Sequence, residues 1–351
     1  MSNEATHQTI VERFADLREG YLPAMMSLLE EVVLDSTPMS SGLATMCAYH
    51  LETGGKRLRA LLPLLVAETL GEDPARLVPF GAACEMLHNA TLVHDDLQDG
   101  DQQRRGRDTV WHRYGAPHAI NLGDAMFYYA VLLAQRLNAD VAVRERVSRR
   151  LLVETLRVID GQEREFLLKQ QPTTSVADYT TMVEGKTSGL FALPVAGAAD
   201  ICGSSPELVS ALAESARHLG VLFQIQDDIL DLYGDKGRGM RGSDIAEGKR
   251  SALVVHALSA GSADDAAQLS QILDLPREET GEAEIEAVVV LFERLGSLDY
   301  ALAELDRRRR SALASPLYVE RPTLAALIDG LCDLFLAPIH PLLTERGLKA
   351  S

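Results

Sequence analysis

The sequence predicts an all-α fold: one domain over residues 1–351, built from roughly a dozen helices of ordinary length. Three observations predict it. Apolar residues recur at helical spacing through most of the chain. No stretch sustains the period-two alternation of a half-buried strand. Hydrophobic residues make up 46% of the chain but aromatics only 5%, so alanine and leucine dominate the apolar set and favour helix over sheet.

Taken in order, the helical runs are Leu22 to Leu34, Arg76 to Leu97, His118 to Leu137, Arg144 to Leu167 and Pro206 to Tyr233. The separators between runs are helix punctuation: Gly71 to Pro74, Gly100 to Gly106, Gly115 to Pro117, Pro172 to Ser175, Gly203 to Pro206, Gly234 to Gly242 and Ser315-Pro316. Ser204 to Glu207 reads as an N-cap with proline at the first helical position. None of these breaks is long enough to be an interdomain linker. Residues 262–282 are acidic and weakly patterned, and are expected to be a surface segment. The tail after Leu327 shows three breaks, at Gly330, Pro338 and Pro341.

The formal charge of −17 makes the chain a poor general binder of nucleic acid or anionic membrane. If it binds an anion, the positive charge must be local or supplied by metal. Cys47, Cys84, Cys202 and Cys332 form no CxxC pair, so zinc and a disulfide framework are not expected and a reducing cytoplasm is the natural setting. The N-terminus lacks the basic and apolar regions of a signal peptide. No apolar run of membrane-spanning length is expected, and hence no stable membrane insertion.

Two aspartate clusters match. Asp95, Asp96 and Asp99 spell DDxxD, and so do Asp227, Asp228 and Asp231. Each ends a long apolar helix and runs into a glycine-containing loop. Residues four apart share a helix face, so Asp95 pairs with Asp99 and Asp227 with Asp231. Such pairs, with neither sulfur nor imidazole among them, are hard-oxygen sites suited to Mg²⁺, which takes one or two carboxylates plus substrate phosphates. A single acidic run is more often a solvated face. Repetition of the spacing, with apolar residues on both sides, argues against that here, because unshielded clusters in apolar surroundings would be costly.

Basic residues accompany them. "GGKRLR" puts Lys56 and Arg59 three apart on one helix face, behind two glycines that allow close backbone approach. Arg104 and Arg105 follow the first cluster. His88 lies two helical turns before Asp95 on the same side. Lys186 and Thr187 stand in "EGKTSGLF", and Gln224 just precedes the second cluster. Guanidinium and ammonium groups suit phosphate oxygens.

"GGKRLR", "EMLHNATLVHDDLQD", "RRG", "GKT", "FQIQDDILD" and "GSDIAEGK" occur in an order that resembles the trans-isoprenyl diphosphate synthases, the polyprenyl synthetase family. The resemblance covers about residues 40–255. It implies an all-α fold around a deep central cavity, and a homodimer. It implies that an allylic diphosphate, held through Mg²⁺ (three ions with the diphosphate bound), ionises to an allylic cation. Isopentenyl diphosphate attacks that cation and loses a proton.

Position by position, the resemblance implies that Asp95, Asp96, Asp99, Asp227, Asp228 and Asp231 supply the metal clusters. Asp95, Asp99, Asp227 and Lys186 are the catalytic residues. Arg104 and Lys186 contact the allylic diphosphate, with Thr187 and Gln224 nearby. Lys56, Arg59, His88 and Arg105 bind isopentenyl diphosphate, and Lys249 belongs to the phosphate-binding "GSDIAEGK" segment. The pattern departs at Met240, where the family usually has lysine; Arg241, Arg238 or Lys236 are candidates to replace it. Asp108 and Trp111 stand where proline and histidine are common, and Ser251 ends the "GKxT" pattern.

Small residues at Ala90 and Thr91 leave the pocket open where short-chain members have an aromatic. The first cluster also lacks the insertion of many farnesyl synthases. Phe127 and Tyr128 resemble the aromatic floor of geranylgeranyl diphosphate synthases, although Ile159 replaces a histidine that helps that floor. The product expected is C20. The alternatives are a longer polyprenyl or C15 farnesyl product, or a non-catalytic regulatory subunit. A class I terpene cyclase fits poorly, since it has no "GGKRLR" and no second DDxxD.

Overall fold

A computed structural model describes residues 9–37, 41–171, 174–234 and 241–346. They are almost wholly helical. In chain order the helices are α1 (Ile10–Ser36), α2 (Leu43–Leu51), α3 (Leu58–Thr69), α4 (Val78–Gln98), α5 (Val110–Tyr114), α6 (Ala116–Gln135), α7 (Val141–Lys169), α8 (Val176–Lys186), α9 (Gly189–Ile201), α10 (Pro206–Tyr233), α11 (Ser243–Ala246), α12 (Ala252–Ala260), α13 (Ala263–Leu273), α14 (Glu282–Leu295), α15 (Ser297–Ala312), α16 (Pro322–Leu336) and α17 (His340–Glu345). The count exceeds the dozen expected because short pieces such as α5, α11 and α17 carry too few residues to show a period.

The chain divides into two compact units. One comprises Met1–Val153, Ala192–Ala213 and Pro316–Leu334; the other Glu154–Phe191, Glu214–Ser315 and Phe335–Ser351. The division falls inside α7, α9, α10 and α16.

In the first unit, α1 begins with a reciprocal cap. The Thr9 hydroxyl accepts from the Glu12 backbone N–H at 3.3 Å, and the Glu12 carboxylate accepts from the Thr9 N–H at 2.7 Å. α4 is the central element, packed on α1, α3 and α6. Two glycines make the packing close: a Cβ on Gly81 would lie 2.4 Å from the Ala60 carbonyl oxygen of α3, and one on Gly123 of α6 would lie 2.2 Å from the His94 ring of α4. Leu64, Leu65, Phe80, Met86, Leu122 and Met126 fill the core between them.

After α4 comes a feature the sequence reading missed, a two-stranded antiparallel ribbon of β1 (Gln103–Arg104) and β2 (Arg107–Asp108). Arg105 and Gly106 join the strands with φ of 53° and 75°, the left-handed pair of a two-residue hairpin turn. Two residues per strand are too few to display alternation.

In the second unit, α8 opens on a Ser175–Asp178 capping box. α12 packs against α8, α13, α14 and α15. The segment 262–282 is the surface segment expected, mostly exposed, and much of it is helical. Ser262 caps α13 through Asp265, and Leu269 and Leu273 point into the protein while the acidic residues face out. Its few apolar residues sit on a single face, which composition alone hides.

The tail also differs from expectation. Gly330 is no break: α16 runs through it because the missing side chain admits Ile10, whose Cβ would lie 3.3 Å from an added one. Only the prolines interrupt, giving a 3₁₀ turn over Ala337–Ile339. Contrary to the sequence reading, Pro322–Glu345 is long and apolar enough by length and composition to cross a membrane; 44% of its 18-residue window is buried inside the protein. A buried core helix passes the same test.

Candidate active site

In the first unit, α4 carries both the first aspartate cluster and His88. Asp95 and Asp99 are half-buried, with Asp99 the helix cap whose N–H bonds the Asp95 carbonyl at 2.8 Å. Asp96, one residue round the helix, is turned inward and only 1% exposed. Its carboxylate receives the Arg104 guanidinium, Nε at 2.7 Å and Nη2 at 2.5 Å. Burial pushes the Asp96 carboxyl up to about 6 despite this partner, while the carboxylates around Arg104 hold its guanidinium above its ordinary value, against burial. Asp96 Oδ2 is buried and has no hydrogen-bond partner. Arg104, expected on a substrate diphosphate, is paired with Asp96 here and ties the base of the ribbon to α4. Trp111 and Thr109 tie the same base down through the Asp101 carbonyl, each at 2.8 Å.

The ribbon turn delivers Arg105 onto "GGKRLR". Its Nη1 donates to the Gly54 carbonyl, and a Cβ on Gly55 would lie 2.3 Å from that nitrogen. The glycines expected to let a ligand approach thus let a guanidinium approach. Arg57, in the left-handed region at φ 53°, is buried in an ion pair with Glu85 at 2.7 Å. That leaves Lys56 exposed and Arg59 turned to α4, its Nη1 3.2 Å from His88 Nε2. Burial, followed by the charges of Arg59, Arg104, Arg105 and His50, drives His88 well below its ordinary value. Burial, with Arg105 adding to it, lowers Arg59 to about 10, and burial with Arg104, Arg57 and Arg105 lowers His50 to about 3. Guanidinium groups gathered in this way have the chemistry that suits an anion.

Ala90 is fully buried and Thr91 nearly so, its hydroxyl donating to the His88 carbonyl at 2.8 Å. Phe127 is half-buried, its ring edge-on to His94 with centroids 5.6 Å apart. Tyr128 is a correction: it is 72% exposed and lines no interior of this chain. Three consecutive residues sweep about 200° of a helix, and Met126 and Tyr129 take the inward directions. Ile159, at 49% exposed, is likewise outside.

In the second unit, Asp227 is half-buried near the end of α10, and Asp228 and Asp231 are turned inward. Asp228 accepts from the Tyr179 hydroxyl at 2.8 Å, the Ala252 N–H at 2.8 Å and Gln224 Nε2 at 3.0 Å. Gln224 in turn accepts from Thr187 Oγ1 at 2.9 Å. Asp231 accepts from Ser243 Oγ at 2.6 Å and the Asp244 N–H at 3.1 Å. Lys186 ends α8 and pairs with Glu165 at 2.5 Å, and Lys249 pairs with Glu247 at 2.5 Å. Arg241 donates to the Leu232 carbonyl at 2.7 Å and reaches Glu286 at 3.4 Å. Met240, Arg238 and Lys236 lie outside the described residues.

The sequence reading missed Tyr179, Ser243, Glu165 and Glu85. Ser243 stands inside the quoted "GSDIAEGK"; nothing in the sequence links the other three to the residues they hold. The donor set fits magnesium: the side chains in the two DDxxD clusters that can ligate are six carboxylates and the Gln98 amide, all offering hard oxygen. No three acidic, histidine or cysteine side chains among the described residues form a ready metal cluster.

The polyprenyl synthetase family model matches residues 40–292. The chain is 35% identical to a geranylgeranyl diphosphate synthase of Mycobacterium tuberculosis over 89% of its own length and 95% of that protein's. It is 30% identical to a geranylfarnesyl diphosphate synthase of Natronomonas pharaonis, over 82% and 88%. The crystal structure of a polyprenyl synthetase from Streptomyces coelicolor superposes with a TM-score of 0.81 at 29% identity, over 92% of this chain and 98% of that one. With both DDxxD helices, the arginine cluster and most of its length matched, the chain belongs to the polyprenyl synthetase family.

Proposed function

We propose that this chain condenses isopentenyl diphosphate with an allylic diphosphate to give a longer trans-polyprenyl diphosphate, of C20 length. The observation that carries the reading is in the first unit, where α4 carries Asp95 and Asp99 and, two turns earlier, His88 with Arg59 against it. An acidic pair suits a metal-bound diphosphate, and a cationic cluster suits a second diphosphate bound without metal.

Asp95, Asp99 and Asp227 are the ligands in this proposal. Asp96, Asp228 and Asp231 hold the clusters in place: Arg104 pairs with one oxygen of Asp96, and protein donors take both oxygens of Asp228 and of Asp231. Magnesium, three ions when the diphosphate is bound, would neutralise the charge growing on the leaving group. Lys186 leaves Glu165 for the allylic diphosphate, with Thr187 and Gln224 lining the approach. Lys56, Arg59, His88 and Arg105 orient isopentenyl diphosphate, with Lys249 as a further phosphate contact.

The allylic C–O bond breaks with its electron pair on the departing diphosphate. The isopentenyl double bond attacks the cation, and the departing diphosphate takes the proton released. The cation survives only in a dry pocket, which the apolar residues before Asp95 supply.

Residues 1–351 act as one catalytic domain in this proposal. Continuous helices across the division of the two units support this. The protein works in the cytoplasm as a homodimer. Free thiols at all four cysteines support the first. Exposed apolar faces support the second: Ile120, Tyr128 and Leu132 on α6, and Leu152, Leu156 and Ile159 on α7. The test is incubation with Mg²⁺, isopentenyl diphosphate and allylic diphosphates of C5, C10 or C15, followed by product mass. A C20 diphosphate is expected, and no condensation with any starter overturns the reading.

A further inference from the structure

Asp228 is a buried carboxylate of the second unit tethered by three donors. It is 4% exposed, and its donors come from three helices: the Tyr179 hydroxyl on α8, the Gln224 amide on α10 itself and the Ala252 N–H at the first position of α12. Gln224 passes the linkage on to Thr187 at the end of α8. An aspartate one residue from Asp227 is about 100° round the helix from it. Fixing Asp228 therefore fixes the rotation of α10 that aims Asp227, and the Gln224–Thr187 bond ties the same setting to the residue after Lys186.

Tyr179 is suited to a permanent part in this. It is 4% exposed. Its hydroxyl donates to Asp228 Oδ2 at 2.8 Å, on the same oxygen as the Ala252 N–H. The backbone N–H of Ala252 donates at any pH. The partners of Asp228 thus form a fixed socket.

We propose that Tyr179 is a positioning residue: through Asp228 it sets the aim of Asp227 and the placement of Thr187 and Gln224, while touching neither metal nor substrate. The proposal rests on the prenyl-transfer reading. It differs from a reading in which all three aspartates of the second cluster ligate metal directly. Outer partners of metal-ligating carboxylates typically carry 10–100-fold effects on metal affinity or activity.

The test uses the full-length protein and Tyr179→Phe, which removes one oxygen and keeps the ring. Titration calorimetry measures binding of inorganic pyrophosphate with Mg²⁺ present, and of isopentenyl diphosphate without metal. Product formation is followed in parallel. Expected for Tyr179→Phe is about 10-fold weaker Mg²⁺-dependent pyrophosphate binding and a kcat lower by about 10-fold or more. Metal-free isopentenyl diphosphate binding and the cooperative melt should stay near the parent's.

Asp228→Asn, combined with Tyr179→Phe, should cost little beyond Asp228→Asn alone, because both act through one carboxylate. Asp227→Asn should cost far more than Asp228→Asn. Parental pyrophosphate binding and kcat in Tyr179→Phe overturn the proposal, as do equal losses for Asp227→Asn and Asp228→Asn. An inactive parent that still binds Mg²⁺-pyrophosphate would sink the enzymatic reading instead.

Discussion

Gly161→Ala tests how tightly Lys186 is placed. Gly161 of α7 faces the end of α8, where an added Cβ would lie 2.1 Å from the Lys186 nitrogen, 2.6 Å from the Gly185 carbonyl carbon and 2.7 Å from the Lys186 Cα. Ordinary contact begins near 3.4 Å. All three atoms are backbone, so no rotamer change relieves the clash, and α8 must back away by roughly an ångström. Overpacking of this kind costs about 1–3 kcal/mol, and replacing a mid-helix glycine by alanine returns about 1 kcal/mol. The net loss is about 0–2 kcal/mol, small enough to leave the chain folded and the melt a few degrees lower. Activity should suffer more, because a misplacement of about 1 Å can cost about 100-fold in rate. The assay is kcat beside a thermal melt on the same sample. A kcat within about twofold of the parent, or a loss that merely tracks the unfolded fraction, would refute the reasoning.

Arg105→Ala should raise the KM for isopentenyl diphosphate by about 10–100-fold, the worth of a charge-assisted bond of roughly 1.5–3 kcal/mol. Steady-state kinetics should show the KM for the allylic partner little changed. Phe127→Ala should lengthen the product, whereas Tyr128→Ala should leave product mass unchanged and weaken dimerisation in sedimentation. A longer product from Tyr128→Ala would place that ring in the partner's pocket. His50 is held near 3 by burial and then by Arg104, Arg57 and Arg105, below its unfolded value. Between these values the unfolded chain binds the extra proton, so stability is lost as pH falls below about 6.5. From about pH 7.5 to about pH 5.5 this group alone should cost about 1.4 kcal/mol in urea denaturation, and His50→Gln should flatten the slope by that amount. His88 shifts in the same direction. An unchanged slope in the variant argues against the cationic surroundings of His50.

The sequence by itself determined the helical class, many of the breaks between helices though not Gly330, and the two acidic clusters, because each is a local matter of residue spacing. Asp95 with Asp99, and His88 two turns earlier, follow from the pitch of one helix. The same pitch sends Asp96 and Asp228 inward, although six aspartates read together suggested six ligands. Helical phase was also what the floor reading lacked, since Phe127 and Tyr128, adjacent on one helix, point about 100° apart. Tertiary structure alone decided what the inward groups meet. Arg104 closes on Asp96, Arg105 lies on Gly54 from 51 residues away, and Tyr179 reaches Asp228 across 49. A hydrogen bond between helices depends on how their backbones approach, at places such as Gly161 against Lys186. Spacing along one helix carries no record of that approach.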